Sequence, residues 1–560
     1  MGASAGYLSG GNLLAIGYSS EWLIVETLRL VYSAASQFVR FRDALNRHIN
    51  SRDSAARCWN SASAAIHPSS GGGTYHGGGS QTGQLDQNYT GAIPVSAVPR
   101  PAGEKARRNA SYHESPSSGL AHRRHGPRAN STCSVEENDD GEIFFTPVIV
   151  TSDLKVIREV MRDSPKIYSP EIRKSRLLDE LTMPTLLTAN GDEWKMHRRM
   201  TAPAFSEKNV DAMLSTVAKI SRRLVNQLPK ETSHSGTVSR RLDPLKWFRL
   251  ITLDITFAVS QGEDWGFLDS SPRSGVVLKM VENFLDGITF VMMNSGMATM
   301  IQNRFPWNLN PRVRRAHAAL KRAAHFTRNA IDKRRAELEA GEEPRKDILD
   351  QLIQSDTDAL GGNLLGFIVA GSETVAISLS WLTYTLCKFP DVQAKARAEA
   401  MSLGHDPTTA DDLVNLPYLE ACVLENIRVP SWLYQTFPRV NSEPSEIDGK
   451  PVAANTVVIL LLGRALIHPA RGGTDFKPER WLGSDGKVDK NHMRDIPIFG
   501  DGPRVCPGRL LAVKEIVIIA ATLLRHCSDI RLSHTHLKVG TKVNLTRTPT
   551  NLYLDLEFRV

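Results

Sequence analysis

The chain has 560 residues, of which 41% are hydrophobic, and this excludes a peptide, a lone small module and a polyelectrolyte. It carries 68 Lys and Arg against 60 Asp and Glu, a formal net charge of +8. Ten of the basic residues and only one acidic residue lie within residues 304–335, so the rest of the chain is close to neutral. This patch predicts a solvated helix face, or one attracted to an anionic membrane surface, rather than a nucleic-acid-binding protein.

The amino-terminal region contains one apolar segment. Residues 22–41 are largely apolar but include three charged side chains, and no stretch of eighteen or more residues is uniformly apolar and free of charge. This pattern favours a helix that lies in a membrane interface, or that packs on protein, over a helix that spans the bilayer. Residues 1–60 are therefore a candidate membrane-interface region.

A low-complexity segment follows. Residues 61–90 include twelve Gly or Ser, and no Phe or Trp occurs between Trp59 and Phe144. Such a composition cannot bury enough apolar surface to fold by itself. We therefore predict a disordered linker or insertion over residues 61–143 and a globular domain over residues 144–560.

From residue 144 onward, apolar residues recur with helical spacing. Short strands are predicted only over residues 145–150, 456–462 and 553–560. The predicted fold class is therefore mainly α with minor β. Helices are predicted over residues 153–162, 209–228, 274–290, 312–338, 363–388, 391–401, 416–429 and 509–526.

Cys506 differs from the other five cysteines in its neighbours. It lies in the segment Phe499-Gly-Asp-Gly-Pro-Arg-Val-Cys-Pro-Gly508, directly before a predicted helix. The glycines and prolines predict a tight loop, and a helix N-terminus favours the thiolate form of a cysteine. A thiolate that backbone N–H groups can approach suits an iron ligand, whereas an inert buried cysteine is the alternative for this residue taken alone.

This loop resembles the heme-binding signature FxxGxRxCxG of the cytochrome P450 family at its five fixed positions, Phe499, Gly502, Arg504, Cys506 and Gly508. Four further motifs stand in the order that the family has, so residues 144–560 are identified as a member of it. The four are Trp194-Lys-Met-His-Arg198, similar to WxxxR; Ala370-Gly-Ser-Glu-Thr374, similar to AGx(E/D)T; Glu425-Asn-Ile-Arg428, similar to ExxR; and Phe476-Lys-Pro-Glu-Arg480, similar to the segment whose Arg completes a Glu-Arg-Arg cluster.

The resemblance implies the P450 fold, a helical domain that encloses heme b with Cys506 as the axial ligand of the iron. The two heme propionates are buried charges that need cationic partners. The resemblance places Trp194, Arg198, Arg439 and Arg504 in that role. For Arg198 a solvated helix face is the alternative, because its neighbours are also basic.

Glu373 and Thr374 lie in a predicted helix that is apolar almost throughout, where polar groups are costly unless they are used or satisfied. The Thr374 hydroxyl can bond the carbonyl of Ala370, and Gly371 lets the helix open locally. The resemblance implies that Thr374, with Glu373 and Gly371, orders proton delivery during oxygen activation. A threonine that bonds only its own helix is the alternative.

Glu425 and Arg428 are three residues apart on a predicted helix, close enough to pair, and their apolar neighbours argue against a solvent-exposed pair. With Arg480 they are predicted to form a buried cluster with a structural role, which positions the loop under the heme.

The leading interpretation is a monooxygenase that takes electrons from NADPH through a flavoprotein reductase and inserts one atom of O₂ into an apolar organic substrate. The spacing of residues 476–481 is most like fungal microsomal members, which implies the cytoplasmic face of the endoplasmic reticulum membrane and secondary metabolism or xenobiotic oxidation. The alternatives are a thiolate-heme isomerase or dehydratase that works without O₂, and a non-catalytic, incomplete P450-like protein. Substrate contacts are expected from Phe367, Val369, Trp432 and Phe437 and from residues 284–300.

Overall fold

The computed structural model describes most of the predicted globular domain. The predictions for residues 1–60, and for most of residues 61–143, lie outside the described residues. All described residues belong to one compact unit. They are residues 130–137, 143–164, 166–170, 185–232, 242–269, 272–293, 311–355, 357–430, 432–533, 538–543 and 546–559.

Helices make up most of the described chain and enclose a continuous apolar core. The shorter ones fill the connections between the long ones. In chain order they are α1 (Leu154–Arg162), α2 (Gly191–Thr201), α3 (Glu207–Thr232), α4 (Pro244–Gln261), α5 (Pro272–Met293), α6 (Pro311–Glu339), α7 (Ile348–Leu352), α8 (Thr357–Lys388), α9 (Pro390–Ser402), α10 (Ala410–Val414), α11 (Pro417–Arg428), α12 (Leu462–Leu466), α13 (Lys490–Asp495) and α14 (Arg509–His526).

Helix α8 runs through the core and packs most extensively against α4. Of the helices in the described ranges, it is the one long and apolar enough to cross a membrane, and 67% of its apolar window is buried within the fold. Burial by other protein elements explains the apolar composition of α8, because a helix that is hydrophobic on all sides must be covered on all sides.

The strands form one larger sheet and three pairs. In the larger sheet the order is β1-β2-β7-β4-β3, and β2 and β7 are parallel while the other neighbours are antiparallel. The pairs are β5 with β6, β8 with β11, and β9 with β10. The strands are β1 (Asn130–Glu137), β2 (Ile143–Thr151), β3 (Tyr168–Pro170), β4 (Arg439–Asn441), β5 (Ser445–Ile447), β6 (Lys450–Val452), β7 (Val457–Leu460), β8 (Cys527–Leu532), β9 (Gly540–Val543), β10 (Arg547–Thr550) and β11 (Leu554–Phe558).

The predicted fold class, mainly α with minor β, is confirmed. The predicted helix over residues 509–526 has the bounds of α14, and α1 begins after Asp153, whose side chain accepts a hydrogen bond from the backbone N–H of Lys155. The predicted strand over residues 456–462 is shorter in the structure, because the chain turns at Leu461 and continues as α12.

Several elements were not predicted from the sequence, and two of them are informative. Helix α4 was not predicted, and fourteen of its eighteen residues are buried, which removes the polar face that a periodicity search needs. Strand β1 lies inside the predicted linker, and its backbone pairs antiparallel with β2 over residues 143–150. Strand β1 can form because β2 supplies the partners for its backbone hydrogen bonds. These bonds do not depend on an apolar composition of β1.

Candidate active site

The thiol loop, residues 499–508, presents Cys506 directly before α14. The loop closes on itself, because the N–H of Cys506 donates to the Phe499 carbonyl over 3.1 Å. Gly502 has a φ of +69°, and a Cβ at this position would lie 2.5 Å from the carbonyl oxygen of Met161 in α1. Glycine at this position therefore lets the thiol loop lie directly against the backbone of α1.

Opposed effects act on the Cys506 thiol. Burial raises the pKa of Cys506, whereas hydrogen bonds from the N–H groups of Gly508 and Arg509 and the charges of Arg509 and Arg198 lower it. Burial is the larger effect, so the pKa of the free thiol lies above its ordinary value. The N–H groups at the helix N-terminus therefore favour the thiolate, as expected, but in the free thiol burial outweighs them. A metal cation on the sulfur would reverse this balance, since a coordinating thiol is deprotonated.

Two arginines near this loop, one buried and one half-buried, have no acidic partner within the described residues. Arg439, in β4, is 7% exposed and donates to the Phe437 carbonyl over 2.6 Å. Arg504 donates to the Ala189 carbonyl over 2.6 Å and to Asn190 Oδ1 over 3.1 Å. Within the described residues neither arginine forms a salt bridge, and the Nε atom of each has no hydrogen-bond partner.

The electrostatics of these two side chains are dominated by burial. Burial lowers the pKa of Arg439 to about 10. Burial, with the positive charge of Arg439 as a smaller cause, lowers the pKa of Arg504 to about 9. A buried charge without a counter-ion is destabilising by several kcal/mol on the order-of-magnitude scale for such groups. The pair is therefore electrostatically suited to a ligand that carries negative charge.

Helix α2 brings the other two predicted cofactor residues to the same place. The guanidinium of Arg504 lies over the Trp194 ring, 4.9 Å from its centroid. Arg198, one turn further along α2, donates to the Val505 carbonyl over 3.3 Å, and burial, followed by the charge of Arg509, lowers its pKa. Arg198 therefore contacts the thiol loop directly, which disfavours the alternative of a solvated helix face.

These residues fit a heme. They combine one thiol at a helix N-terminus with buried guanidinium groups whose Nε atoms lack partners. An iron porphyrin needs both features, a thiolate for the metal and cations for its two propionates.

Helix α8 presents an accessible stripe of side chains next to this site. Phe367 and Thr374 are partly exposed and Ala370 is exposed, although α8 is otherwise largely buried. The Phe367 ring packs edge-on against Phe205, with 5.0 Å between centroids, and a Cβ at Gly508 would lie 3.8 Å from the same Phe205 ring. Phe205 thus links α8 to the thiol loop.

The predicted proton-relay residues have different surroundings. Thr374 Oγ1 donates to the Ala370 carbonyl over 2.7 Å. Both carboxylate oxygens of Glu373 are instead bound by Arg249 of α4. A Cβ at Gly371 would lie 3.4 Å from Thr256, so Gly371 faces α4 as well. The structure therefore brings Thr374 to the accessible stripe but turns Glu373 and Gly371 toward α4.

The Glu425 cluster, which consists of Glu425, Arg428, Arg480 and Trp481, is a separate buried group. Arg428 forms two 2.8 Å bonds with Glu425, Arg480 adds another of 2.8 Å, and the Trp481 indole donates over 2.9 Å. Burial raises the pKa of Glu425, but these bonds outweigh it and hold the pKa below its ordinary value. The guanidinium of Arg428 also donates to the carbonyls of Leu466, Gly473 and Asp475, which ties the segment before Arg480 to α11.

The expected substrate residues are distributed over two places. Phe367 lies on the accessible stripe and Phe437 is half-buried beside Arg439. Val369 instead lines a small apolar cavity between α4, α5, α6 and α8. Trp432 is buried in the core. Of the expected residues 284–300, those beyond the end of α5 lie outside the described residues.

Sequence reasoning missed three residues that shape this site. Phe205 and Arg249 contact predicted site residues, and Trp481 completes the Glu425 cluster. Trp481 directly follows the predicted Arg480, and this position is a signal in the sequence that could have identified it as a member of the cluster. Arg249 lies on a helix that showed no amphipathic period, and nothing in the sequence paired it with Glu373.

Comparison of the sequence with known proteins identifies one family. The sequence model described as cytochrome P450 matches residues 142–554. Cytochrome P450 CYP13A3 of Caenorhabditis elegans is 26% identical over 477 residues, covering 78% of this chain and 87% of the nematode protein. Echinocystic acid 23-monooxygenase of Saponaria officinalis is 25% identical, covering 70% and 77%. Cytochrome P450 monooxygenase ORF11 of Penicillium roqueforti is 29% identical, covering 61% and 70%.

These matches confirm the family that the five motifs indicated, together with its fold and its use of heme ligated by a cysteine thiolate. This chain belongs to the cytochrome P450 family and is a heme-dependent monooxygenase.

Proposed function

We propose that residues 144–560 form a P450 domain that inserts one atom of O₂ into an apolar organic substrate, with Cys506 as the axial ligand of heme b. Electrons come from NADPH through a flavoprotein reductase, at the cytoplasmic face of the endoplasmic reticulum membrane. The observation that carries the proposal is a pair of arginines with buried, unpartnered Nε atoms and no acidic partner among the described residues, beside a thiol at a helix N-terminus.

In this proposal each side chain near the thiol loop has a defined task. Cys506 holds the iron, the N–H groups of Gly508 and Arg509 support its sulfur, and Phe499 fixes the Cys506 backbone. The propionates bind among Arg439, Arg504, Arg198 and Trp194. The bound heme supplies dioxygen activation and oxygen-atom transfer.

The chain's own residues govern protons and water. Thr374 holds its hydroxyl proton on the Ala370 carbonyl, on the accessible stripe of α8, where it can exchange that bond for one to water. Glu373 carries protons from solvent toward Thr374. Phe367 and Phe205 cover the approach between α8 and the thiol loop and limit access of other water.

An apolar substrate is supported by the two expected contact residues that are partly exposed at this site, since Phe367 and Phe437 offer aromatic carbon surfaces. The Saponaria relative is named for oxidation of echinocystic acid, and the Penicillium relative is named as a monooxygenase. For this chain we propose a secondary metabolite or xenobiotic of the same general apolar character.

A membrane location is supported by the charge distribution on α6. Its residues Arg314, Arg315, Lys321, Arg322 and Arg328 are exposed, and none of them forms a salt bridge within the described residues. Cations on one helix face are attracted to anionic lipid headgroups by about 1 kcal/mol each.

The decisive experiment is the carbon monoxide difference spectrum of the reduced, heme-loaded full chain. We expect the red-shifted band of thiolate-ligated ferrous heme in the wild type and in Cys387→Ser, whose partly buried thiol donates to the Ile530 carbonyl. We expect its complete loss in Cys506→Ser, because a hydroxyl does not replace a thiolate as ligand. A wild-type chain without that band would contradict the proposal.

Turnover separates oxygen insertion from rearrangement without O₂. A monooxygenase needs NADPH and O₂ for product formation, whereas an isomerase or dehydratase does not. In Thr374→Ala we expect NADPH oxidation to continue while the yield of product per NADPH falls by about a hundredfold, the low end for losing a positioned proton donor. Unchanged coupling would remove Thr374 from the relay.

A further inference from the structure

Asn363 of α8 joins three parts of the fold through one buried side chain. Its Nδ2 donates to His197 Nδ1 over 2.6 Å and to the Ala359 carbonyl of its own helix over 2.8 Å, and its Oδ1 accepts from the backbone N–H of Leu186 over 2.7 Å. Asn363 is 1% exposed and His197 0%, so water does not compete for these bonds. The whole amide is therefore used to hold α8, α2 and the segment before α2 together.

These bonds determine the direction of the amide and the tautomer of the ring. A backbone N–H can only donate, so the Asn363 oxygen faces Leu186 and its nitrogen faces His197. The ring atom Nδ1 of His197 then accepts, which makes the ring neutral with its hydrogen on Nε2. A leucine at position 363 would fill a similar volume but would take this partner away from both groups, which is costly in a buried place.

The segment joined at Leu186 carries the acceptors of Arg504. It forms a turn in which the N–H of Ala189 donates to the Thr185 carbonyl over 2.8 Å. The Ala189 carbonyl and Asn190 Oδ1 both accept from the Arg504 guanidinium. The position of this turn on α8 therefore determines where Arg504 lies.

The helix joined at His197 carries the other two residues near Arg504. Arg198 directly follows His197 and contacts the thiol loop, whereas His197 points toward α8. Trp194, three residues before His197, lies with its ring 4.9 Å from the Arg504 guanidinium. Asn363 is thus tied to both of the elements that bring these cations together.

Resting on the proposed function, we propose that Asn363 is a positioning residue for the heme. Through His197 it fixes the place of Arg198, and through Leu186 it fixes the place of Arg504. Two cations at a fixed separation hold the two anionic groups of one rigid ligand better than two cations that move independently, because less freedom is lost on binding. Their placement also determines how well the propionate charge is neutralised, and nearby charge affects the reduction potential of the iron.

The test compares Asn363→Leu with a matched change of a second buried amide. Gln393 of α9 is 5% exposed, and its Nε2 donates to the carbonyls of Leu386 in α8 and Ile530 in β8 over 3.2 and 3.1 Å. Gln393→Met therefore removes a buried amide that joins α8 to other elements at the opposite end of that helix. Each full chain is loaded with heme, and the rate of heme transfer to a heme acceptor, the reduction potential of the iron and the melting temperature are measured without turnover.

We expect Asn363→Leu to speed heme transfer about tenfold, the low end for losing an outer partner at a metal site, and to lower the reduction potential, because less propionate charge is neutralised. Asn363→Asp should recover most of the heme retention, since a carboxylate accepts from Leu186 and also from His197 once the ring hydrogen moves to Nδ1. Gln393→Met should lower the melting temperature but leave heme transfer and the potential unchanged. In the double variant Asn363→Leu with His197→Phe, the effects on transfer should not multiply, because the two positions share one bond.

The role of Asn363 and the proposed function can fail separately. If the wild type gives the thiolate-heme spectrum but Asn363→Leu keeps the wild-type transfer rate and potential, the role of Asn363 is wrong and the proposed function stands. The role is also wrong if Gln393→Met speeds transfer equally, or if Asn363→Asp releases heme as fast as Asn363→Leu. If the wild type gives no such spectrum, the proposed function falls and the role of Asn363 falls with it.

Discussion

Two groups of buried arginines in this chain lie in opposite electrostatic surroundings. In the Glu425 cluster, Arg428 is fully buried and bonded to a carboxylate and to three carbonyls. Near the thiol loop, the buried Arg439 and the half-buried Arg504 have no carboxylate partner within the described residues, and their pKa values fall to about 10 and about 9. The first group has its carboxylate within the fold, whereas the second is electrostatically suited to an added anion. This contrast supports the proposal that the first is structural and the second binds the heme propionates.

The largest effect on the free energy of unfolding should come from disrupting the Glu425 cluster. Glu425→Gln leaves Arg428 buried without its carboxylate, so we expect a loss of about 3–5 kcal/mol in the free energy of unfolding. Glu479→Gln is the control, because its salt bridge with Lys395 is exposed, 55% and 56% for the two side chains, and costs about 0–1 kcal/mol to remove. Denaturant unfolding measures both. Equal losses in the two variants would contradict a structural role for the Glu425 cluster.

The contact of the thiol loop with α1 can be tested by two glycines of that loop. Gly502 and Gly500 both have positive φ, +69° and +83°, but only at Gly502 would a Cβ meet backbone, 2.5 Å from the Met161 oxygen and 2.8 Å from Arg162 Cα. We expect Gly500→Ala to cost about 1 kcal/mol for conformation alone and Gly502→Ala about 3 kcal/mol. Thermal unfolding measures the difference in stability between the two variants. Similar losses of stability would show that the α1 backbone moves easily to make room for the added methyl group.

Glu515 in α14 extends the comparison to an acid. It is 3% exposed, its Oε1 atom has no hydrogen-bond partner, and burial raises its pKa to about 8. A carboxyl whose pKa is higher in the folded protein than in the unfolded chain contributes its full stabilisation below the pKa of the unfolded chain. This contribution is lost as the pH rises through the pKa of the folded protein. Between about pH 6 and about pH 8 we expect the wild type to lose about 2 kcal/mol relative to Glu515→Gln. Parallel pH curves for the two proteins would show that Glu515 has a partner in solution.

Arg439→Met should have opposite effects with and without heme. Without heme we expect a gain of about 1–2 kcal/mol in the free energy of unfolding, because an unpaired buried cation is replaced by an apolar side chain. With heme we expect weaker retention, about tenfold, measured by transfer to a heme acceptor. A variant that is both less stable and equally retentive would contradict a binding role for Arg439.

The sequence predicted best those features that local chemistry determines. Helix α14 has a glycine-rich start and a long apolar run, and its bounds were predicted to the residue. Arg428 and Glu425 could be paired in advance, because a spacing of three on a helix is itself a distance. The bond from Thr374 to Ala370 follows from the same geometry.

Features that depend on long-range packing were not predictable. Helix α4 is buried on nearly all sides, so its residues carry no periodic pattern, and its Arg249 meets Glu373 across 124 positions of the chain. The strands β3, β4, β5 and β6 have only three residues each, too few for an alternating pattern. The raised pKa of Cys506 required its burial to be known, while the sequence showed only the helix N-terminus.

The hydroxyl of Thr374 has a consequence for the direction of hydrogen bonds at this site. A hydroxyl has a single hydrogen, and here the Ala370 carbonyl already receives it. The oxygen can then only accept, so any water beside Thr374 must point a hydrogen toward it. A chain of waters ending there is therefore polarised one way at rest, and it reverses only when the O–H bond rotates off the helix. Thr374 can therefore donate a hydrogen bond to water only after its O–H has left the Ala370 carbonyl.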